Sequence, residues 1–288
     1  MLTGADAQDF DPPGSLVDLS VRFGGHGAVS LTVDVHAEAQ ITAFALSLRK
    51  SGSSLFSNMV NAIARAAGRN VVDIPAATFA QSIRYRDWNV EAELRQLIWS
   101  GNIYTGFRDP PTALCGDPVF EQATKLLLLR DPRDVLVSEY FSNAYSHSLP
   151  EQGAEESVIA SERKIARDLE IESYVLNRVD ALNNTIRLYR PLLGDARLQV
   201  LKYEDVIFDK PGWIRQIAAA FELPLEEKLI EDIVGWADIR PTVEDATSFV
   251  RRVTPGDHQE KLSPETIAKV ENELDSIWWD LGYARSDL

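Results

Sequence analysis

The chain has 288 residues, 45% of them hydrophobic, and a formal charge of −15 at pH 7; that size supports one large α/β domain with its own core. Such acidity excludes a broad polyanion-binding surface, because nucleic-acid affinity comes largely from lysines and arginines meeting phosphates. The single cysteine, Cys115, excludes an intramolecular disulfide framework and argues against structural zinc, and without a bilayer-length apolar run or a signal-peptide pattern a cytoplasmic protein is expected.

In chain order, residues 1–14 are small, polar and Pro/Gly-containing, and a flexible terminus is expected there. Alternation through Val17, Leu19 and Val21 and again through Leu31, Val33 and Val35, broken by Gly24-Gly25-His26-Gly27, predicts an N-terminal β-hairpin leaning on the main sheet. The expected organisation is therefore an extension over 1–40 and the main domain over 41–288. Ile41 to Leu48 reads as a strand, Arg49-Lys50-Ser51-Gly52-Ser53-Ser54 as a tight loop, and Leu55, Met59, Val60, Ile63 and Ala67 as one face of a helix ending at Gly68. Strand patterns follow at Asn70–Ile74, Asn102–Phe107, Lys125–Leu129 and Leu198–Tyr203. Helical patterns cover about 89–99, the stretch from Pro132, 165–190, the residues after Pro211, and 264–280. The alternation predicts an α/β fold, a doubly wound, mostly parallel sheet with helices on both faces.

Two constellations carry chemistry. The loop at 49–54 brings Lys50, the amides of Gly52 to Ser54 and two hydroxyls to a helix N-terminus, where amides without intrahelical partners and the helix dipole favour an anion. It is not a Walker A sequence, because Lys50 precedes the glycine; a serine-capped helix after a surface turn is its alternative reading. The second is Arg130-Asp131-Pro132-Arg133-Asp134-Val135-Leu136-Val137-Ser138. Arg130 ends a buried strand, where open α/β sheets bind ligands, and Asp131-Pro132 is an N-cap followed by proline at the first helical position. Ser138 falls about two helical turns on, so its hydroxyl can share with Arg130 an anion lying along the helix start. An Arg130/Asp134 ion pair is the alternative.

These residues resemble the PAPS-dependent sulfotransferases, a P-loop-like family. Lys50-Ser51-Gly52-Ser53-Ser54 looks like the family loop for the 5′-phosphosulfate, and Arg130 to Ser138 matches its Arg-x-Pro-x-Asp-x-x-x-Ser element for the 3′-phosphate. Tyr203-Glu204-Asp205 is similar to the family's Tyr-Glu-Asp, whose tyrosine lies near adenine. Phe249-Val250-Arg251-Arg252 with Gly256-Asp257 resembles the segment that closes over the 3′-phosphate. The likeness spans about 41–285. Three positions depart from it: Leu55 stands at an adenine-stacking tryptophan, leaving Phe56, Tyr203 or Trp236 for the base; Val253 replaces a glycine; and Gly106 replaces the catalytic histidine.

The resemblance implies PAPS as co-substrate, PAP as product, no metal, and transfer of a sulfuryl group to a hydroxyl or amine of a small-molecule, sugar or natural-product acceptor. Lys50 would stabilise the leaving oxygen, with Lys50, Ser51, Gly52, Ser53, Ser54, Leu55, Arg130, Ser138, Tyr203, Arg251 and Arg252 around the nucleotide. His147 is the first candidate general base, Asp109 the second and Asp73 the third; His26 and His36 are expected at the surface and His258 near the nucleotide. Loops over 76–124 and 139–165 would line the acceptor pocket, with Tyr85, Trp88, Trp99, Phe107, Tyr140, Phe141 and Tyr145 offering aromatic surface; the alternative reading of many of these aromatics is core. The rivals are a PAPS-binding protein without catalysis and a P-loop small-molecule kinase.

Overall fold

The computed structural model describes residues 16–37, 39–146 and 154–286; the terminus 1–14 and His147 lie outside them. The hairpin forms as expected from β1 (Leu16–Phe23) and β2 (Gly27–Asp34), paired antiparallel. Its inward residues Val21, Phe23, Val29 and Val33 are buried in the same apolar cluster as Phe44 and Leu46 of the main sheet.

That sheet has five strands in the order β4-β5-β3-β6-β7: β3 (Ala43–Ser47), β4 (Val71–Val72), β5 (Ile103–Phe107), β6 (Thr124–Leu129) and β7 (Leu198–Lys202). Every pairing is parallel, so all the carboxyl ends lie along one edge. The chain leaves β3 towards β4 on one side and continues from β6 to β7 on the other, which opens a crevice where the direction reverses.

Helices cover both faces, and the two-residue strand period sorts the strand side chains between them. Ala43, Ala45, Leu126 and Leu128 pack with α1 (Ser53–Ala66), α9 (Lys210–Ala220) and α10 (Glu227–Ala237). Phe44, Leu46, Leu127 and Leu129 face the hairpin, α5 (Pro132–Phe141), α7 (Ile171–Tyr189) and α12 (Pro264–Glu273). The remaining helices are α2 (Ile74–Ala80), α3 (Tyr85–Trp88), α4 (Pro118–Gln122), α6 (Ala154–Asp168), α8 (Tyr203–Val206), α11 (Asp257–Lys261) and α13 (Ile277–Asp280). Among the described residues no helix is long and apolar enough to cross a membrane.

Several boundaries differ from the sequence expectation for local reasons. β4 stops at Val72 because the Asp73 carboxylate accepts from Ala76 N at 2.8 Å and caps α2. The expected 89–99 helix is the short α3 followed by a 3-10 turn at Ala92–Leu97. Tyr203 opens a helical turn rather than ending β7. Between the pairs Phe44↔Tyr104 and Leu46↔Phe107 the register slips by one residue. Gly106, at φ 85°, sits in this bulge and turns Tyr104 and Phe107 to the same face.

Candidate functional site

Each strand of the main sheet delivers polar residues to the carboxyl edge. After β3 the chain turns through Lys50 at φ 65° and Gly52 at φ 86° into α1. A Cβ on Gly52 would lie 3.1 Å from the Tyr203 ring, so this turn needs glycine for its backbone angle and for its close approach. α1 has no side-chain cap, leaving its first amides directed at whatever lies in front of the loop. Ser51 is sealed in, its hydroxyl bonded to the Leu48 and Leu128 carbonyls, so it braces the loop on β6. Leu55 packs partly buried against the core.

Burial pushes the Lys50 ammonium down to about 8; Arg108, Arg130 and Arg49 push the same way and Glu139 opposes them. Across the crevice, Arg130 is 5% exposed. It donates long bonds to the Lys50 carbonyl (3.4 Å) and to Asp134 (3.3 Å), and its buried Nε has no partner. The ion pair weighed as an alternative is therefore present, yet it does not saturate the guanidinium, which a buried donor set would require. Asp131 caps α5 and holds Arg133, so Arg133 belongs to the scaffold. Ser138 is half-buried on the same helix.

Tyr203 lies beneath the Arg130 guanidinium, 4.7 Å from Cζ to the ring centre, and its hydroxyl donates to the Val253 carbonyl at 3.0 Å. That bond draws the C-terminal segment to the crevice. Within the segment Arg251 pairs with Glu244 and Asp257 and stacks on Phe141 at 4.0 Å, while Arg252 pairs with Glu260. His258, expected near the nucleotide, is buried against Asp134, whereas His26 and His36 are exposed.

Of the residues weighed for the base, Phe56 is excluded: it is fully buried and stacked on Trp213. Tyr203 reaches the crevice, and Trp236 is exposed over α1 beside Asn58 and Arg65. Of the aromatics weighed as pocket wall or core, Trp88 and Phe107 are core; Tyr140 packs edge to face with Phe141 and Tyr145, and Tyr140 and Phe141 stay partly open while Tyr145 is exposed. Asp109 follows β5 and is 7% exposed. Burial raises its pKa, and Arg49 holds Oδ2 through Nε at 3.0 Å and Nη2 at 2.9 Å.

Sequence reasoning passed over Arg108. Its Nη2 donates to Ser54 Oγ at 3.0 Å, joining β5 to the loop of Lys50. The bulge at Gly106 accounts for this: with Phe107 turned to the hairpin face, the next residue faces α1. A glycine inside a strand pattern was the available signal.

A sulfotransferase domain profile matches residues 41–275. The chain belongs to the sulfotransferase family. As a member it is a transferase for sulfuryl groups. Its fold is similar to that of mouse sulfotransferase SULT7A1 complexed with PAP, at 12% identity and a TM-score of 0.52 over 85% of this chain and 90% of that one. A retinol dehydratase crystallised with retinol and PAP covers 96% of this sulfotransferase and 92% of its own chain at 16% identity and a TM-score of 0.48. A sulfotransferase from Alicyclobacillus acidocaldarius aligns at 15% identity and a TM-score of 0.39, over 84% of this chain and 99% of its own. No curated protein matches the sequence.

Proposed function

We propose that this sulfotransferase takes its sulfuryl group from PAPS and delivers it to a hydroxyl or amine of a small-molecule, sugar or natural-product acceptor, working in the cytoplasm through a catalytic unit at residues 41–288. The observation that carries the reading is the pairing across one crevice of an uncapped helix start at Lys50–Ser54 with the incompletely bonded Arg130. These are two anion sites in contact through the Lys50 carbonyl, suited to a ligand with two separated anionic groups.

In this assignment the 5′-side group lies on the amides of Gly52 to Ser54 with Lys50 and the Ser53 and Ser54 hydroxyls. The 3′-phosphate lies on Arg130, Ser138, Arg251 and Arg252, with Tyr203 near the base. The acceptor oxygen attacks sulfur, the bond from sulfur to the bridging oxygen breaks, and that oxygen keeps the electron pair as part of PAP. Lys50 bears on the leaving oxygen, a role whose loss costs about 3–4 kcal/mol by analogy with deleted oxyanion donors.

Calorimetry with PAP and with magnesium-ATP tests the donor: PAP is expected to bind at least tenfold tighter, and equal affinity overturns the assignment in favour of a kinase. Gly106, without a side chain that could take a proton, motivates the second reading, a PAPS-binding protein without catalysis. Turnover of labelled PAPS with phenol, sugar and alcohol acceptors separates the two.

A further inference from the structure

Transfer to a hydroxyl releases a proton, and a group at the carboxyl edge must receive it. The loops after β4 and β5 and the start of α5 after β6 bring four carboxylates to that edge. Asp109 is held by Arg49. Asp131 is bound by the Arg133 guanidinium and by its amide. Asp134 is enclosed by Arg130, Gly256 and His258. Asp73 differs. It makes no ion pair among the described residues, and its hydrogen bond is the one that Oδ1 accepts from the Ala76 amide, which leaves Oδ2 without a partner.

Its place is set by the bulge. A Cβ on Gly106 would lie 2.2 Å from Asp73 Oδ1 and 3.0 Å from Oδ2, so the Asp73 carboxylate fills the space that a side chain at position 106 would take. The charged group facing it is Arg108, since neither α2 nor β5 contains an Asp, Glu, Lys or Arg. Arg108 in turn meets Ser54 and bears on Lys50. Arg108 thus links the carboxylate to the loop assigned to the sulfuryl group, and one carboxylate oxygen stays open.

We propose that Asp73 is the catalytic base of this sulfotransferase, its open oxygen taking the proton from the acceptor hydroxyl as the oxygen–sulfur bond forms. The inference rests on the reading of PAPS as donor. The proton passes to the carboxylate, the electron pair of the O–H bond becomes the nucleophile, and PAP leaves with the pair of the broken sulfur–oxygen bond. Burial, only partly offset by the Ala76 bond and by Arg108, raises the Asp73 pKa, which makes the carboxylate a better proton acceptor than an exposed one.

Asp73→Asn is the test, because asparagine caps a helix as well as aspartate does and a merely structural role would survive the change. With labelled PAPS and the acceptor panel, turnover is expected to fall by about 10² to 10⁴, the usual contribution of a general base, with PAP affinity by calorimetry unchanged. In the PAP complex the Asp73 carboxyl carbon, recognised by NMR as the signal lost in Asp73→Asn, is expected to titrate above the ordinary value of about 3.9. A signal titrating at or below that value, or turnover kept within about tenfold, overturns the inference. Failure of the wild-type chain to bind PAP instead refutes the donor reading beneath it.

Discussion

The Asp134 carboxylate and His258 meet twice: Oδ1 accepts from the His258 amide at 3.0 Å and lies 2.7 Å from its Nδ1. Oδ2 accepts from the Gly256 amide at 2.8 Å and from Arg130 at 3.3 Å. One aspartate thus fastens the start of α11 to α5 and orients Arg130 at the same time. Burial favours its protonated form, but the His258 bonds and the Arg130 charge outweigh that and hold the carboxyl well below the usual range.

Asp134→Asn should therefore destabilise the chain by about 3–5 kcal/mol at neutral pH, since Arg130 is left buried without a counter-charge. The sign with pH follows from the lowered pKa. The stabilisation is full above the unfolded value of about 3.9 and is lost only as pH falls through the lower folded one. Denaturant melts at pH 7 should show this gap between wild type and variant; a variant as stable as the wild type there contradicts the assignment.

Lys50, brought down to about 8, loses its charge as pH rises through that value in the free enzyme. The apparent kcat/KM for PAPS, which reports free-enzyme ionisations, should fall on the alkaline side from about pH 8. Lys50→Arg should lack this limb, because guanidinium does not titrate there. An unchanged limb in Lys50→Arg would assign the ionisation to another group.

The same residue costs stability. At φ 65° it holds a left-handed backbone that is unfavourable by about 1–2 kcal/mol for a residue with a Cβ. Its lowered pKa also means that the folded chain binds fewer protons than the unfolded chain between about pH 8 and 10.4, so stability rises with pH across that window. Lys50→Gly should raise the Tm at pH 7 by a few degrees while turnover is lost; a lower Tm would show that Lys50 is structural.

Gly106→Ala forces a side chain into a positive-φ bulge and against Asp73. The backbone strain is about 1–2 kcal/mol, and displacing the Asp73 cap adds about 0.5–2 kcal/mol. Asp73→Ala removes the cap and also the obstacle. The double variant should therefore be less destabilised than the sum of the singles, by an amount read from urea midpoints in a mutant cycle. Strict additivity would place the two residues apart.

The sequence by itself determined the α/β class, the hairpin, the strand–loop–helix at Lys50 and the Arg130–Ser138 element. Each is a local pattern: the strand and helix periods are read along one segment, and Arg130, Asp131, Pro132 and Asp134 act within one strand end and the first turns of α5. That many of the aromatics belong to the core was legible, but not that Trp88 and Phe107 are among them while Tyr145 stays exposed, because burial depends on which elements cover a face. Only the tertiary structure decided the partner of each charge. Asp73 reaches Gly106 and Arg108 reaches Ser54 because β4 and β5 lie side by side and β5 bulges. Strand order and register arise from non-local packing of side chains far apart in the chain, which the period of any one segment does not encode.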